Sequence, residues 1–205
     1  ADMSVPPRRI LADEAVRFVG EPVAAVIAET REAATDAAEL IAVDYETLPV
    51  TIFYTRQHAP QGLGDALRYA QDFVGDEPFV VALGDTIIRS GKTEVVSRLI
   101  ASYQAHKASA VIAVENVQLD DVYKYGIVSP ASQEDDFVIS DLVEKPSISA
   151  APSTLAIAAR YVFGPELFAA IKATLPDRKG EIQLVDAIKV MMARGLGVRG
   201  VVLGP

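Results

Sequence analysis

The chain contains no cysteine and no tryptophan, and only two histidines among its 205 residues. Without thiols, disulfides, zinc-thiolate sites, iron–sulfur clusters and cysteine nucleophiles are all excluded. Positive charge is scarce as well: 19 lysines and arginines stand against 28 aspartates and glutamates, a formal charge of −9. Such a surface displaces no counterions from a phosphate backbone, so binding to DNA, RNA or anionic membranes is not expected, and any phosphate ligand must be held by local groups. No apolar run reaches the roughly 18 residues of a membrane span, and no basic-then-apolar leader is seen, so the expected compartment is the cytoplasm. What the chain does have is 50% hydrophobic and 23% charged residues, the balance of a sequence that can bury a substantial core.

Along the chain, apolar runs of strand length alternate with stretches of helical spacing. "VAAVIAE" at 23–29 predicts a buried strand, "TREAATDAAELI" a helix capped by Thr30, and "AVDYETLPV" a returning strand. From Thr51 the sequence predicts a strand "TIFYTRQ", a helix "LGDALRYAQDFV", a strand "FVVALGD", a helix "EVVSRLIASYQAH" and a strand "SAVIAVEN". "DDFVISDLVEKP" and "LAIAARYVF" follow as strands, "PELFAAIKATL" and "EIQLVDAIKVMMARG" as helices, and "GVRGVVLGP" as a last strand. This alternation predicts an α/β fold with a mostly parallel, mixed sheet flanked by helices.

Two glycine patterns imitate phosphate-binding loops. In "VVALGDTIIRSGKT" at 80–93, Gly-Lys-Thr suggests a P-loop, but the first glycine would have to be residue 86, which is Thr86. A β-branched residue is poorly suited to the conformations that let consecutive N–H groups curl around phosphate. Gly195–Gly200 fits Gly-x-Gly-x-x-Gly, yet a helix precedes it and a strand follows, the reverse of what a pyrophosphate site needs. These glycines read as a helix C-cap and a turn.

The residues with chemistry to offer lie elsewhere. Asp85 follows an apolar strand and Gly84, at the carboxyl edge where open α/β sheets gather ligands. It can contribute a carboxylate to Mg²⁺, which takes one or two carboxylates together with substrate phosphate oxygens, or it can cap the following turn or helix. In "DLVEKP", Glu144 and Lys145 sit at a strand end stopped by Pro146, and strand alternation sends them to opposite faces. One can meet sugar hydroxyls and the other a phosphate; a solvated surface pair is the ordinary alternative. Gly126 in "YGIV" can bare its backbone to a sugar, and Glu181 and Asp186 in "GEIQLVDA" are placed in the first turns of a helix, where the dipole alone favours them.

Taken together, "RQHAPQGLGDAL", "DEPFVVALGDTII", "DVYKYGIVSP", "DLVEKP", "APSTLAIAARYVF" and "GEIQLVDAI" resemble, in order and approximate spacing, the bacterial UTP–glucose-1-phosphate uridylyltransferases, members of the sugar-phosphate nucleotidyltransferases. The resemblance covers residues 51–205. It implies a Rossmann-type nucleotidyltransferase domain, truncated at both ends, that takes nucleotide and sugar-phosphate ligands with Mg²⁺. By it, Gln57 and Gly62 recognise uracil, Asp85 binds Mg²⁺, Gly126 and Glu144 hold the sugar, Lys145 meets its phosphate, and Glu181 stands on the sugar side. The chain departs from the family at Ala59, Asp65 and Thr154, where glutamate, histidine and asparagine are usual, and the family's Gly-x-Gly-Thr-Arg loop has no counterpart in residues 1–50.

Residues 1–50 resemble instead the hammerhead α/β segment of molybdenum hydroxylase large subunits, a structural segment to which no site residue is assigned. The organisation implied is chimeric: a β-α-β unit at 1–50, expected to add its strands to the sheet of a nucleotidyltransferase-like domain at 51–205, because so short a unit buries little apolar surface alone. The expected reaction is nucleotidyl transfer from UTP to glucose-1-phosphate, impaired or lost for want of the triphosphate loop. The alternative is a non-catalytic module with residual sugar-nucleotide binding, and the oligomeric state is left open, a homo-oligomer included.

Overall fold

The computed structural model describes residues 11–12, 16, 21–46, 52–88 and 95–204. It divides into two compact units, Ala1–Phe53 and Tyr54–Pro205.

In the first unit, helix α1 spans Arg31–Glu39, and the Thr30 hydroxyl caps it by accepting the Ala33 N–H at 3.2 Å. The strands expected on either side are not formed among the described residues: 21–28 and 41–46 take neither helix nor strand. An apolar run becomes a strand only when a neighbour completes its hydrogen bonds and covers its side chains. Here Ile27 is 96% exposed and α1 buries no residue, so this run has the composition of a strand without its cover. Residues 47–51, where the sequence leads one to expect a join between two segments, lie outside the described residues, as do Gly91, Lys92 and Thr93.

The second unit is built on a six-stranded sheet of β1 Phe79–Ala82, β2 Ala110–Asn116, β3 Gly126–Pro130, β4 Asp136–Glu144, β5 Leu155–Phe163 and β6 Val198–Val202, ordered β1-β5-β2-β6-β4-β3. Strand β3 is an element that the sequence reading treated only as a site segment. The helix predicted over 63–74 is split into α2 Leu63–Arg68 and α3 Gln71–Val74, because the ladder tightens between them, Tyr69 N–H turning to Ala66 O and Ala70 N–H to Leu67 O. Helices α4 Val95–His106, α5 Glu166–Ala173 and α6 Leu184–Ala193 complete the unit.

The α/β class and the mixed, helix-flanked sheet are as expected, but the parallel share is smaller. Among the described pairings only β2–β6 is parallel. Two features explain this. Strand β5 runs back between β1 and β2, separating strands that point the same way. Strands β3 and β4 are joined by a turn at 131–135, and so short a connection permits only antiparallel pairing. Ile127 also pairs with Ala156, so β3 meets β5 and the pairings close a circuit through β3, β4, β6, β2 and β5.

Strand β2 is buried on both faces, which is why it reads as a continuous apolar run. Ala110, Ile112 and Val114 join Phe137, Tyr161 and Phe163 under α5 and α6, where Leu167, Phe168, Ile171, Leu184, Ile188 and Met191 close the larger core. Val111 and Ala113 face the other way, with Ala158, Val162 and Val201 against Leu99 of α4. After α6 the chain turns as expected of a helix C-cap: Gly195 has φ +77°, its N–H bonds to Met192 O, and Leu196 N–H reaches Met191 O. That pair of bonds is a Schellman motif, and it delivers the chain directly into β6.

Gly200 owes its identity to packing. It stands opposite Phe137 in the β4–β6 register, and a Cβ there would lie 2.6 Å from the Phe137 ring. Gly200→Ala is therefore expected to destabilise the unit by about 1–3 kcal/mol, the usual cost of overfilling a packed core. Combining it with Phe137→Leu should cost less than the sum of the two single changes in urea unfolding. Strict additivity would show that the two groups do not compete for the same space.

Candidate functional site

The site is built where β1 ends. Leu83 N–H bonds to Ala159 O at 3.1 Å, and the chain then turns at Gly84 and Asp85. A Cβ at Gly84 would meet nothing within 4 Å, so the turn opens onto free space. Asp85 is exposed, and among the described residues its carboxylate meets only the Thr86 hydroxyl, at 3.4 Å. Behind the turn, the Arg160 guanidinium donates to Leu83 O at 3.0 Å, Ala159 O at 2.9 Å and Thr86 O at 2.8 Å.

Next to Arg160, Tyr161 is paired across the sheet with Val81 of β1 and Ile112 of β2 and is 5% exposed. Its phenol is pushed well above the usual tyrosine range, first by burial, then by the charge of Glu144 and then by that of Asp85. Carboxylates that follow β1 and end β4 thus both bear on one hydroxyl.

At the end of β4, Gly126 and Glu144 are direct cross-strand partners. A Cβ on Gly126 would lie 2.9 Å from Ile157 Cδ1, 3.2 Å from Glu144 Oε2 and 3.4 Å from Val185 Cγ2, so glycine is what leaves room for the carboxylate. Lys145 does not continue the strand alternation expected of it. Its φ is +45°, its N–H bonds to Tyr125 O at 3.0 Å, and its ammonium turns back to within 3.6 Å of Glu144 Oε1. A lysine in the left-handed region is strained, and strain of this kind collects at functional sites. Anion and cation are consequently presented side by side rather than on opposite faces.

A second cluster holds Gln57, Gly62 and Glu181. Gly64 N–H bonds to Ile182 O at 2.9 Å, and Ile182 N–H bonds to Gln61 O at 2.8 Å. Gly62, with φ +92°, fits only because it has no Cβ, which would fall 2.7 Å from Ile182 O. Gln57 Nε2 donates to Asp65 Oδ2 at 2.9 Å and to Gly62 O at 3.3 Å. Both partners are acceptors, so the amide nitrogen must face them. Asp65, fully buried, is also paired with Arg68 at 2.8 Å. Glu181 lies ahead of α6, not in its first turn, and accepts from Gln183 Nε2 at 2.9 Å. Only Asp186 fits the helix-dipole reading.

Sequence reasoning finds Asp65 only as a departure from a family pattern and does not point to Arg160 or Tyr161, although signals exist: an aspartate inside an apolar helical stretch, and an Arg-Tyr pair inside an apolar strand. A separate concavity of about 310 Å³, lined by Arg98, Ser102, Asp135 and Val201 on the α4 side, contains none of the site residues. No cluster of three metal-binding side chains occurs among the described residues. Asp85, exposed on an open turn, fits a cation that takes most of its oxygens from substrate and water, as Mg²⁺ does.

The phenol gives a pH prediction. Unfolded Tyr161 ionises near 10.0, whereas the folded chain keeps it protonated to higher pH. The unfolded state therefore loses its proton first, so this contribution to stability is intact below pH 10 and is lost as pH rises above it. Denaturant midpoints of the parent should fall across that range more steeply than those of Tyr161→Phe. Some slope persists in the variant because Tyr103 is raised in the same sense, by burial and by Glu166. Equal slopes would show that burial and the two carboxylates do not hold the proton on Tyr161.

Comparison with known proteins places this geometry. Residues 9–201 match the sequence model of the family described as Nucleotidyl transferase. The UTP–glucose-1-phosphate uridylyltransferase of Staphylococcus epidermidis is 39% identical over 153 residues, 74% of this chain and 52% of that protein. The crystal structure of UDP-glucose pyrophosphorylase complexed with UDP-glucose superposes with a TM-score of 0.69 at 32% identity, over 74% of this chain and 58% of that one. The UTP-bound UGPase from Acinetobacter baumannii does so with a TM-score of 0.66 at 34% identity, over 75% and 53%. The chain spans about half the length of the curated relatives it matches. With the family model matched from residue 9 to residue 201 on a mixed α/β sheet, the chain belongs to the nucleotidyl transferase family.

Proposed function

We propose that this chain carries the sugar-nucleotide half of a UTP–glucose-1-phosphate uridylyltransfer reaction, in which a phosphate oxygen of glucose-1-phosphate attacks the α-phosphorus of UTP and pyrophosphate leaves. The observation that carries the reading is that Gly126 and Lys145 stand beside Glu144 at the end of β4, while Glu144 and Asp85 both bear on the buried Tyr161 phenol. Similar solved structures bind UDP-glucose and UTP, which supports ligands of that class.

Each residue has a role that its surroundings allow. Gln57 has its amide nitrogen held by Asp65 and Gly62, which leaves Oε1 to accept from an N–H such as that of uracil N3. Gly62 keeps the neighbouring backbone close to a flat base. Glu144 accepts from sugar hydroxyls, Gly126 leaves the room they need, and Glu181 stands on the sugar side with its carboxylate steadied by Gln183. Lys145 offers a compact positive charge to the phosphate, where charge develops during transfer. Asp85 would hold Mg²⁺, which when bound neutralises phosphate charge and aligns the reacting oxygens.

A second reading is residual binding without turnover. It is favoured by one feature: within these 205 residues no Gly-x-Gly-Thr-Arg loop is present to grip the triphosphate. Titration calorimetry with UDP-glucose, with and without Mg²⁺, tests the binding claim common to both. Glu144→Ala should weaken binding by about 1–3 kcal/mol, the cost of leaving hydroxyl partners unmet in a site. Asp141→Ala, which removes an ion pair with Lys189 and a bond from the Leu142 N–H, both away from Glu144, should leave it unchanged. An isotherm that Glu144→Ala does not move would return Glu144 and Lys145 to the status of a solvated ion pair.

A further inference from the structure

Arg160 is an arginine in an apolar strand, and the sheet makes a specific place for it. In the β2–β5 register, Ile112 pairs with Tyr161 and Val114 with Ile157, so residues 158–160 of β5 stand opposite the single Ala113. The strand bulges there, and Ala159, a non-glycine residue, takes φ +55°. Bulges re-aim side chains, and this one directs Arg160 towards the chain leaving β1. Its three hydrogen bonds among the described residues all go to main-chain carbonyls: Ala159 O at the bulge itself, then Leu83 O and Thr86 O. The last two flank Gly84 and Asp85, so one planar guanidinium grips the turn on both sides of the aspartate.

We propose that Arg160 is a positioning residue that fixes the Asp85 turn and so sets the metal affinity of its carboxylate. This deepens the reading of Asp85 as the Mg²⁺-binding group and rests on it. The turn itself needs such a support. Gly84 gives it freedom, a Cβ there would touch nothing, and among the described residues Asp85 makes only a long contact to its neighbour Thr86. A lysine cannot replace the fork, since a single ammonium on a flexible stem does not bridge carbonyls three residues apart with fixed geometry.

Two readouts test this on the full chain. Hydrogen–deuterium exchange of peptides covering 83–88 reports the turn directly, and electron paramagnetic resonance of Mn²⁺ with UTP reports metal affinity. Arg160→Met should speed exchange at 83–88 while leaving 110–116 protected, and should weaken Mn²⁺ binding about tenfold, the low end for loss of a group that orients a ligand. Arg160→Lys should fall between the parent and Arg160→Met, and it carries both readouts if Arg160→Met does not fold. Unchanged exchange at 83–88 would overturn the proposal. So would a lower melting temperature with parent-like Mn²⁺ affinity per folded molecule, the signature of a merely structural arginine. Asp85→Asn separates the two levels of the argument: if it binds Mn²⁺ like the parent, the metal reading fails, and the exchange data alone decide whether Arg160 holds the turn.

Discussion

Strand β5 must hydrogen-bond to β1 on one edge and β2 on the other while running against both, and the rest of the site depends on how it does so. Its partners do not keep one register, and the mismatch is absorbed in the bulge at residues 158–160, where Ala159 accepts a left-handed conformation. A non-glycine residue there costs on the order of 1–3 kcal/mol, so the surroundings must over-determine it. They do. Leu83 N–H and Arg160 Nη1 both bond to Ala159 O, and Val162 and Phe163 beyond it are locked into the cores on the two faces of the sheet. From that one irregularity, Arg160 is aimed at the Asp85 turn and Tyr161 is left in the field of both Asp85 and Glu144.

The chemistry follows from placing few charges well in a chain that is acidic overall. With a net −9, the protein has no general attraction for phosphate. Lys145 is set at a strand end by a strained backbone, with its charge turned towards Glu144. Glu144 in turn shares the field of a buried phenol with Asp85. Glu144 and the Tyr161 hydroxyl are held on strands and Lys145 directly follows one, which limits their freedom to relax. The second cluster is held similarly, because the buried Asp65 fixes the orientation of the Gln57 amide.

Much of the second unit was legible in the sequence because its strands are apolar runs of strand length bounded by turns, as in "SAVIAVEN" and "LAIAARYVF". The helix stop before β6 was legible for the same local reason, a glycine able to take positive φ. Strand direction was not. Alternating elements suggest parallel neighbours, but nothing local says that β5 will insert between β1 and β2. The run at 23–29 misled because composition cannot report whether a partner strand exists. Among the candidate residues, Asp85, Gly126 and Glu144 were visible at element ends, and the structure pairs Gly126 with Glu144 across strands. Asp65, Arg160 and Tyr161 were hidden because their importance comes from partners distant in sequence or from a bulge, and periodicity describes neither. Asp65 in particular was noted only as a departure from a family pattern, yet it is the buried group that orients Gln57.

The central claim is that the ends of β1, β3 and β4, together with the middle of β5, form one ligand site. It is tested most directly by following backbone amide resonances of the chain during titration with UDP-glucose in the presence of Mg²⁺. The account predicts that the largest shifts gather at Asp85, Gly126, Glu144, Lys145 and Tyr161, with a second group at Gln57, Gly62 and Glu181. Shifts confined to the concavity beside α4, at Arg98, Ser102 and Asp135, with the residues around Tyr161 unmoved, would contradict it.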